Sequence, residues 1–207
     1  MNRRYTRHGL PVGVQSRADG KPVITGYAAV FYDPNDPGTE YRLYDDLVER
    51  IMPGAFDRAL REDDVRGLFN HDDNQILGRV KSGTMRLSVD RKGLKYEIDP
   101  PDTQCARDVM ESLRRGDITG SSFMFRPKAN TYRDADGTYI IERNEVYLFD
   151  CGPVAFPAYE STEAGVRSVA DAEAVRREVE KWAKERRGRT IPAIKARAQA
   201  VAVELAR

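Results

Sequence analysis

At 207 residues and a formal net charge of +1, the chain is long enough for one ordinary domain with an appendage, and a domain of that size buries roughly 70% of its unfolded surface without covalent staples. Two cysteines, Cys105 and Cys151, with no CxxC spacing exclude a disulfide framework and do not read as metal ligands, which points to a reducing, intracellular setting. No apolar core of signal-peptide length follows the basic segment Met1 to His8, and no apolar run approaches the ~20 residues of a membrane span, so a soluble, cytoplasmic protein is expected.

Val12 to Phe31 is β-rich, and Gly26 between Val23-Ile24-Thr25 and Tyr27 to Phe31 predicts a strand with a bulge or bend. Asp33-Pro34-Asn35-Asp36-Pro37-Gly38 concentrates loop-forming residues and is expected to be exposed. Leu47 to Ile51 leads into Pro53-Gly54-Ala55-Phe56-Asp57-Arg58-Ala59-Leu60, whose early proline and Phe56/Ala59/Leu60 spacing predict a short helix. Val65 to Phe69 reads as a strand ending at His71, and Ile76 to Val80 as the strand after a polar loop. Thr84 to Val89 alternates with period two, turns at Asp90-Arg91-Lys92-Gly93 and resumes as Leu94 to Ile98, the clearest hairpin in the chain. After Pro100-Pro101, Thr103 is placed to cap a helix whose apolar positions Ala106, Val109, Met110 and Leu113 recur at i, i+3, i+4 and i+7, with Gly116 as its stop. Ile118 to Phe125, Tyr139 to Ile141 and Val146 to Phe149 are further strands, separated by Pro127 and the Asp134-Ala135-Asp136-Gly137 turn. Many short strands with few helices predict an α+β domain on a mostly antiparallel sheet or barrel over residues 1–168.

From 169 to 207 the composition becomes that of charged helices. Ala172, Val175, Val179 and Trp182 form a narrow apolar stripe, and beyond Gly188 a second stripe runs through Ile194, Ala198, Val201 and Leu205. Residues 166–207 carry eleven Lys/Arg against six Asp/Glu, a net charge of +5 that leaves −4 on the rest. This basic amphipathic tail is expected to dock on the body, on a second copy or on a partner.

Three segments hold the residue types that nucleophilic hydrolysis requires. Gly120-Ser121-Ser122-Phe123-Met124-Phe125 runs two hydroxyls into an aromatic strand. Leu68 to Asp73 holds His71, one of two histidines, the other being His8 near the N-terminus. Tyr147 to Gly152 ends an apolar run on Asp150. A serine hydroxyl needs a base in hydrogen-bond reach, and an imidazole base needs a partner that fixes its tautomer. Alternation lets only one of Ser121 and Ser122 face the histidine, and spacing leaves open which one. The histidine and the serine also have plain readings, a structural or surface histidine at a strand end and a serine bonding locally, whereas Asp150 is chosen as the acid because an aspartate closing an apolar run is expected to be partly buried and hence partnered. A thiol hydrolase built on Cys151 and His71 is weaker, since Cys151 lies in a Cys-Gly-Pro turn beside Asp150. With no Walker loop, HExxH or ligand cluster, no metal or nucleotide cofactor is expected.

The ordered series Gly26-Tyr27-Ala28-Ala29-Val30-Phe31, Pro53-Gly54-Ala55-Phe56, Asn70-His71-Asp72, Leu77-Gly78, Gly83 to Leu87, Arg115 to Phe125 and Pro153-Val154-Ala155-Phe156-Pro157-Ala158-Tyr159 resembles the prohead maturation proteases of tailed bacteriophages over roughly residues 10 to 168. Its specificity lies in the order, since no single motif would suffice. The resemblance implies an assemblin-like fold, a β-barrel wrapped by helices, and a serine endopeptidase that cleaves scaffold segments, capsid precursor and itself inside the procapsid in the host cytoplasm. By position, the histidine of the family's NHD motif falls on His71 as general base. The serine of its G-x-S-F-x-F motif falls on Ser122 as nucleophile, which selects Ser122 over Ser121. Assemblins use a second histidine as third member, yet His8 lies outside the matched motifs; the acid preceding the P-V-x-x-P-A-Y segment falls on Asp150, which takes the orienting role. Met124 stands where the family often has glycine. The implied partners are the major capsid protein precursor and its scaffold segment, with self-association through the C-terminal helices; neither membrane nor nucleic acid is indicated. The alternative is an inactive relative acting in capsid assembly by binding scaffold.

Overall fold

The computed structural model describes residues 5–8, 12–156 and 173–186. Strands dominate because β-branched and aromatic residues recur with period two between turn-forming clusters. In chain order they are β1 (Tyr5–His8), β2 (Val12–Ser16), β3 (Pro22–Val30), β4 (Tyr41–Tyr44), β5 (Leu47–Ile51), β6 (Arg66–Leu68), β7 (Ile76–Arg79), β8 (Met85–Val89), β9 (Gly93–Ile98), β10 (Gly120–Ala135) and β11 (Thr138–Val154). The α-helices among the described residues are α1 (Ala59–Glu62), α2 (Gln104–Arg115) and α3 (173–186), and Pro37–Thr39 forms a single 3-10 turn. The α+β class holds, and no helix among the described residues is long and apolar enough to cross a membrane.

The strands make two sheets. The smaller, β2-β3-β9-β8, is antiparallel throughout. The larger runs β1-β10-β11-β5-β4, with β6 and β7 joined to it through β11. Neither closes on itself, so two open sheets stand where a barrel was one expectation. β11 is 17 residues long, and β5 and β6 pair parallel with successive stretches of it, Tyr139–Arg143 and Asp150–Cys151, so the ladder ends at β4 and β7 without returning to β1.

One apolar core lies beneath both sheets. Ile24, Leu94, Tyr96 and Ile98 of the smaller sheet meet Phe123, Phe125, Ile141 and Leu148 of the larger, and α2 adds Ala106, Val109, Met110 and Leu113. Phe123 stacks on Phe125 at 5.1 Å and meets Phe56 edge-on at 5.7 Å between ring centroids. Burial of each such side chain contributes roughly 1.5–3 kcal/mol.

Three local expectations are modified. The bulge in β3 falls between Tyr27 and Ala29, while Gly26 stays in register against Tyr96. Its hydrogen answers a close approach: a Cβ there would come within 2.7 Å of Ser121 Oγ. The Pro53 segment forms turns, and the helix is confined to Ala59–Glu62. The strands on either side of Asp136-Gly137 form one long hairpin through Pro127, because the register shifts between Pro127 and Ala129 where a proline removes a ladder donor.

The first tail stripe folds onto this body. Val175 and Val179 of α3 are buried in the common core, and Trp182 stacks on Tyr132 at 5.7 Å between centroids. Glu178 accepts from Arg143 Nη1 and Asn130 Nδ2, each at 3.2 Å, and from the Tyr132 hydroxyl. Burial, then Glu178, pushes the Tyr132 phenol up to about 12, so it remains a donor. Arg143 Nε in turn donates to Glu49 at 2.6 Å, with both side chains fully buried. Ala172 and the second stripe, Ile194 to Leu205, lie outside the described residues.

Candidate active site

His71 sits on a loop that closes on itself. Phe69 N–H donates to the Gln75 carbonyl at 3.1 Å, Asp72 N–H to Phe69 at 3.1 Å, and Gln75 N–H back to Asp72 at 2.9 Å. The Asp72 carboxylate also accepts from the backbone and amide nitrogens of Asn74 and from Gln75 Nε2, each at 2.9 Å. Inside this frame Asn70 and His71 take left-handed backbone angles, φ 55° and 57°, a conformation that costs on the order of 1–3 kcal/mol per non-glycine residue and persists only when its surroundings over-determine it. Asn70 supplies part of that determination: its N–H donates to the Pro153 carbonyl at 3.1 Å, and its Oδ1 accepts from Ala155 N–H at 2.8 Å. The loop is thereby pinned to the end of β11.

The other two residues come from the paired strands. Ser122 of β10 lies opposite Gly152 of β11, and Met124 opposite Asp150. Residues opposite one another share a face, as do residues two apart on one strand, so Ser122 and Asp150 point to the same side of the sheet. Gly152 keeps that side open to the loop: a Cβ there would stand 2.1 Å from the Leu68 carbonyl oxygen.

His71 bridges them. Its Nδ1 lies 2.5 Å from Asp150 Oδ1 and its Nε2 lies 2.6 Å from Ser122 Oγ. A carboxylate can only accept, so Nδ1–H donates to Asp150, which leaves Nε2 as acceptor for the Ser122 hydroxyl. Ser122 and Asp150 are buried and the His71 side chain is nearly so.

Ser121 points the other way. Its Oγ lies 2.8 Å from the Tyr96 hydroxyl in the core, where burial pushes the phenol's pKa up and keeps it protonated. Cys151 alternates onto the face opposite Asp150; it is fully buried, and burial, then the neighbouring Asp150, pushes its thiol pKa well up. A thiolate is therefore disfavoured at this position, which removes the physical basis of a Cys151 nucleophile. His8 is in register with Ser122 across the β1–β10 pair.

Residues 11–178 match the family model described as the Caudovirus prohead serine protease. The chain belongs to the Caudovirus prohead serine protease family. Among solved structures, the capsid assembly protease of bacteriophage T4 aligns with a TM-score of 0.44 and 12% identity, over 73% of this chain and 97% of that one. No curated protein matches significantly. Two positions in this chain were not singled out from sequence as parts of the site. Asn70 was visible only as the first letter of its Asn-His-Asp motif, and Gly152 only as the residue after Cys151; the hydrogen bond of one and the close approach at the other involve residues more than 80 positions away.

Proposed function

We propose that this chain is a serine endopeptidase in which Ser122 is the nucleophile, His71 the general base and Asp150 the group that orients the base. The reading rests on one observation, the continuous hydrogen-bonded chain from Asp150 through His71 to Ser122. In the acylation step Ser122 Oγ attacks a peptide carbonyl carbon as its proton passes to His71 Nε2. The C–N bond then breaks, and the imidazolium returns that proton to the departing amine. Water repeats the sequence in reverse to release the acyl group. Asp150 holds the Nδ1–H tautomer and stabilises the imidazolium while it is positively charged.

Family membership supports capsid precursor and its scaffold segment as substrates, acted on within the procapsid in the host cytoplasm. Cleavage of its own chain belongs to the same reading. Residues 1–168 are taken as the protease unit, with helix 173–186 packed on it through Val175 and Val179, and the rest of the basic tail to residue 207 as a docking segment for scaffold or a second copy, supported by its charge and by the stripe from Ile194 to Leu205.

Co-expression with the capsid precursor tests the chemistry. Wild-type protein should shorten the precursor, Ser122→Ala should leave it full length, and Cys151→Ala should retain cleavage. Cleavage that persists in Ser122→Ala would refute the nucleophile assignment. Wild-type protein that leaves the precursor intact while co-sedimenting with it would establish the assembly-factor alternative instead.

A further inference from the structure

The nucleophile's strand has one edge on which a peptide could lie, and the chain's own N-terminal residues cover it. β10 is paired with β11 on one side and with β1 on the other, and β1 ends the ladder. β1 is four residues long and runs antiparallel to β10 with His8 opposite Ser122, Arg7 opposite Phe123, Thr6 opposite Met124 and Tyr5 opposite Phe125. An extended peptide adding to a sheet edge gains main-chain hydrogen bonds along its length, and opposite residues of an antiparallel pair stand about 4.5–5.5 Å apart. A strand in this register therefore carries the peptide bonds flanking its His8 position past Ser122.

We infer that the β10 edge covered by β1 is the substrate-binding edge, that the peptide substrate binds there as an extended antiparallel strand, and that β1 occupies this place until it is displaced. The inference rests on the reading of Ser122 as nucleophile. The register also orders the substrate: residues upstream of the position opposite Ser122 run along Phe123 to Phe125. The residue two positions upstream is opposite Met124, on the same face as the nucleophile. β1 is four residues long and, among the described strands, pairs with β10 alone.

The test uses full-length protein with Thr6→Pro or, separately, Arg7→Pro. In an edge strand alternate N–H groups point toward the neighbour, so one of these prolines removes a ladder bond to β10 and the other faces away. In a Ser122→Ala background, binding of a fluorescein-labelled synthetic peptide of residues 1–10 is followed by anisotropy. One proline variant should bind it at least about 10-fold more tightly than Ser122→Ala alone, and the other should not. In the enzyme with Ser122 intact, the same proline should lower KM for capsid precursor by a similar factor at unchanged kcat. A measurement that needs no substitution accompanies these: unlabelled 1–10 peptide should raise KM of the unmodified enzyme competitively. Unchanged peptide affinity and KM in both variants, loss of kcat at unchanged KM, or absence of competition would each overturn the inference. Failure of the catalytic reading is a separate result, namely cleavage by Ser122→Ala itself.

Discussion

The 2.6 Å approach of His71 Nε2 to Ser122 Oγ depends on which ring nitrogen carries the proton, and Asp150 decides that. Asp150→Asn replaces an obligate acceptor with an amide that can donate to Nδ1, which favours the proton on Nε2 and turns the base into a donor facing the serine. The expected result is a kcat about 10⁴-fold lower with little change in KM, read from steady-state cleavage of a capsid-precursor peptide. An Asp150→Asn enzyme within 10-fold of wild type would remove Asp150 from the mechanism. The adjacent serines separate by a different readout. Ser121→Ala leaves the buried Tyr96 hydroxyl without its partner at 2.8 Å and should cost about 1–3 kcal/mol in chemical denaturation while cleavage persists. Gly152→Ala drives a methyl into the Leu68 carbonyl and should cost about 3 kcal/mol, displacing the His71 loop and lowering kcat together with stability.

Elements whose determinants are local were readable from sequence, and those that depend on distant partners were not. α2 is one of the readable ones: Thr103 Oγ1 accepts from Ala106 N–H, the four apolar positions are buried, and Gly116 ends the helix. The β8–β9 hairpin likewise carries its own alternation and its own turn. The parallel pairing of β5 with β11 joins residues more than 90 positions apart, Leu47 with Tyr139, and no short-range pattern encodes it. The burial of charge at that junction was equally invisible, because Glu49 and Arg143 read as ordinary strand charges until their partners are known. Glu49→Ala removes one of the carboxylates beside the buried Arg143 guanidinium and leaves Glu178 in place, so it should cost about 1.5–3 kcal/mol by urea denaturation with an unchanged m value. The hydrogen-bonded chain from Asp150 through His71 to Ser122 should survive in the folded fraction. Along β10, Tyr132 beside this network lies ten residues from Ser122, about 33 Å of extended strand.

At the scale of the whole molecule, His71, Ser122 and Asp150 belong to three segments that meet because both sheets share one core and β11 reaches from the end of the fold that α3 packs on to the end that holds these three residues. α3 packs into that same core. Val175 and Val179 lie in its apolar cluster and Glu178 meets Arg143, so a chain ending at residue 172 would lose two buried valines and one partner of a buried guanidinium. The valines alone contribute roughly 3–6 kcal/mol, a large part of the 5–15 kcal/mol that typically holds a domain folded. At about 2–4 °C per kcal/mol for a chain of this size, the truncated protein should melt at least about 6 °C below the full chain. Calorimetry of the two proteins under one set of conditions checks this. If helix 173–186 served only to contact scaffold or a second copy, its removal would leave Tm within about 2 °C and change sedimentation alone. If it is part of the fold, Tm falls, and kcat/KM per folded molecule stays unchanged at temperatures well below the new transition, because α3 meets the hairpin at Asn130, Tyr132 and Arg143, and Tyr132 lies about 33 Å along β10 from Ser122.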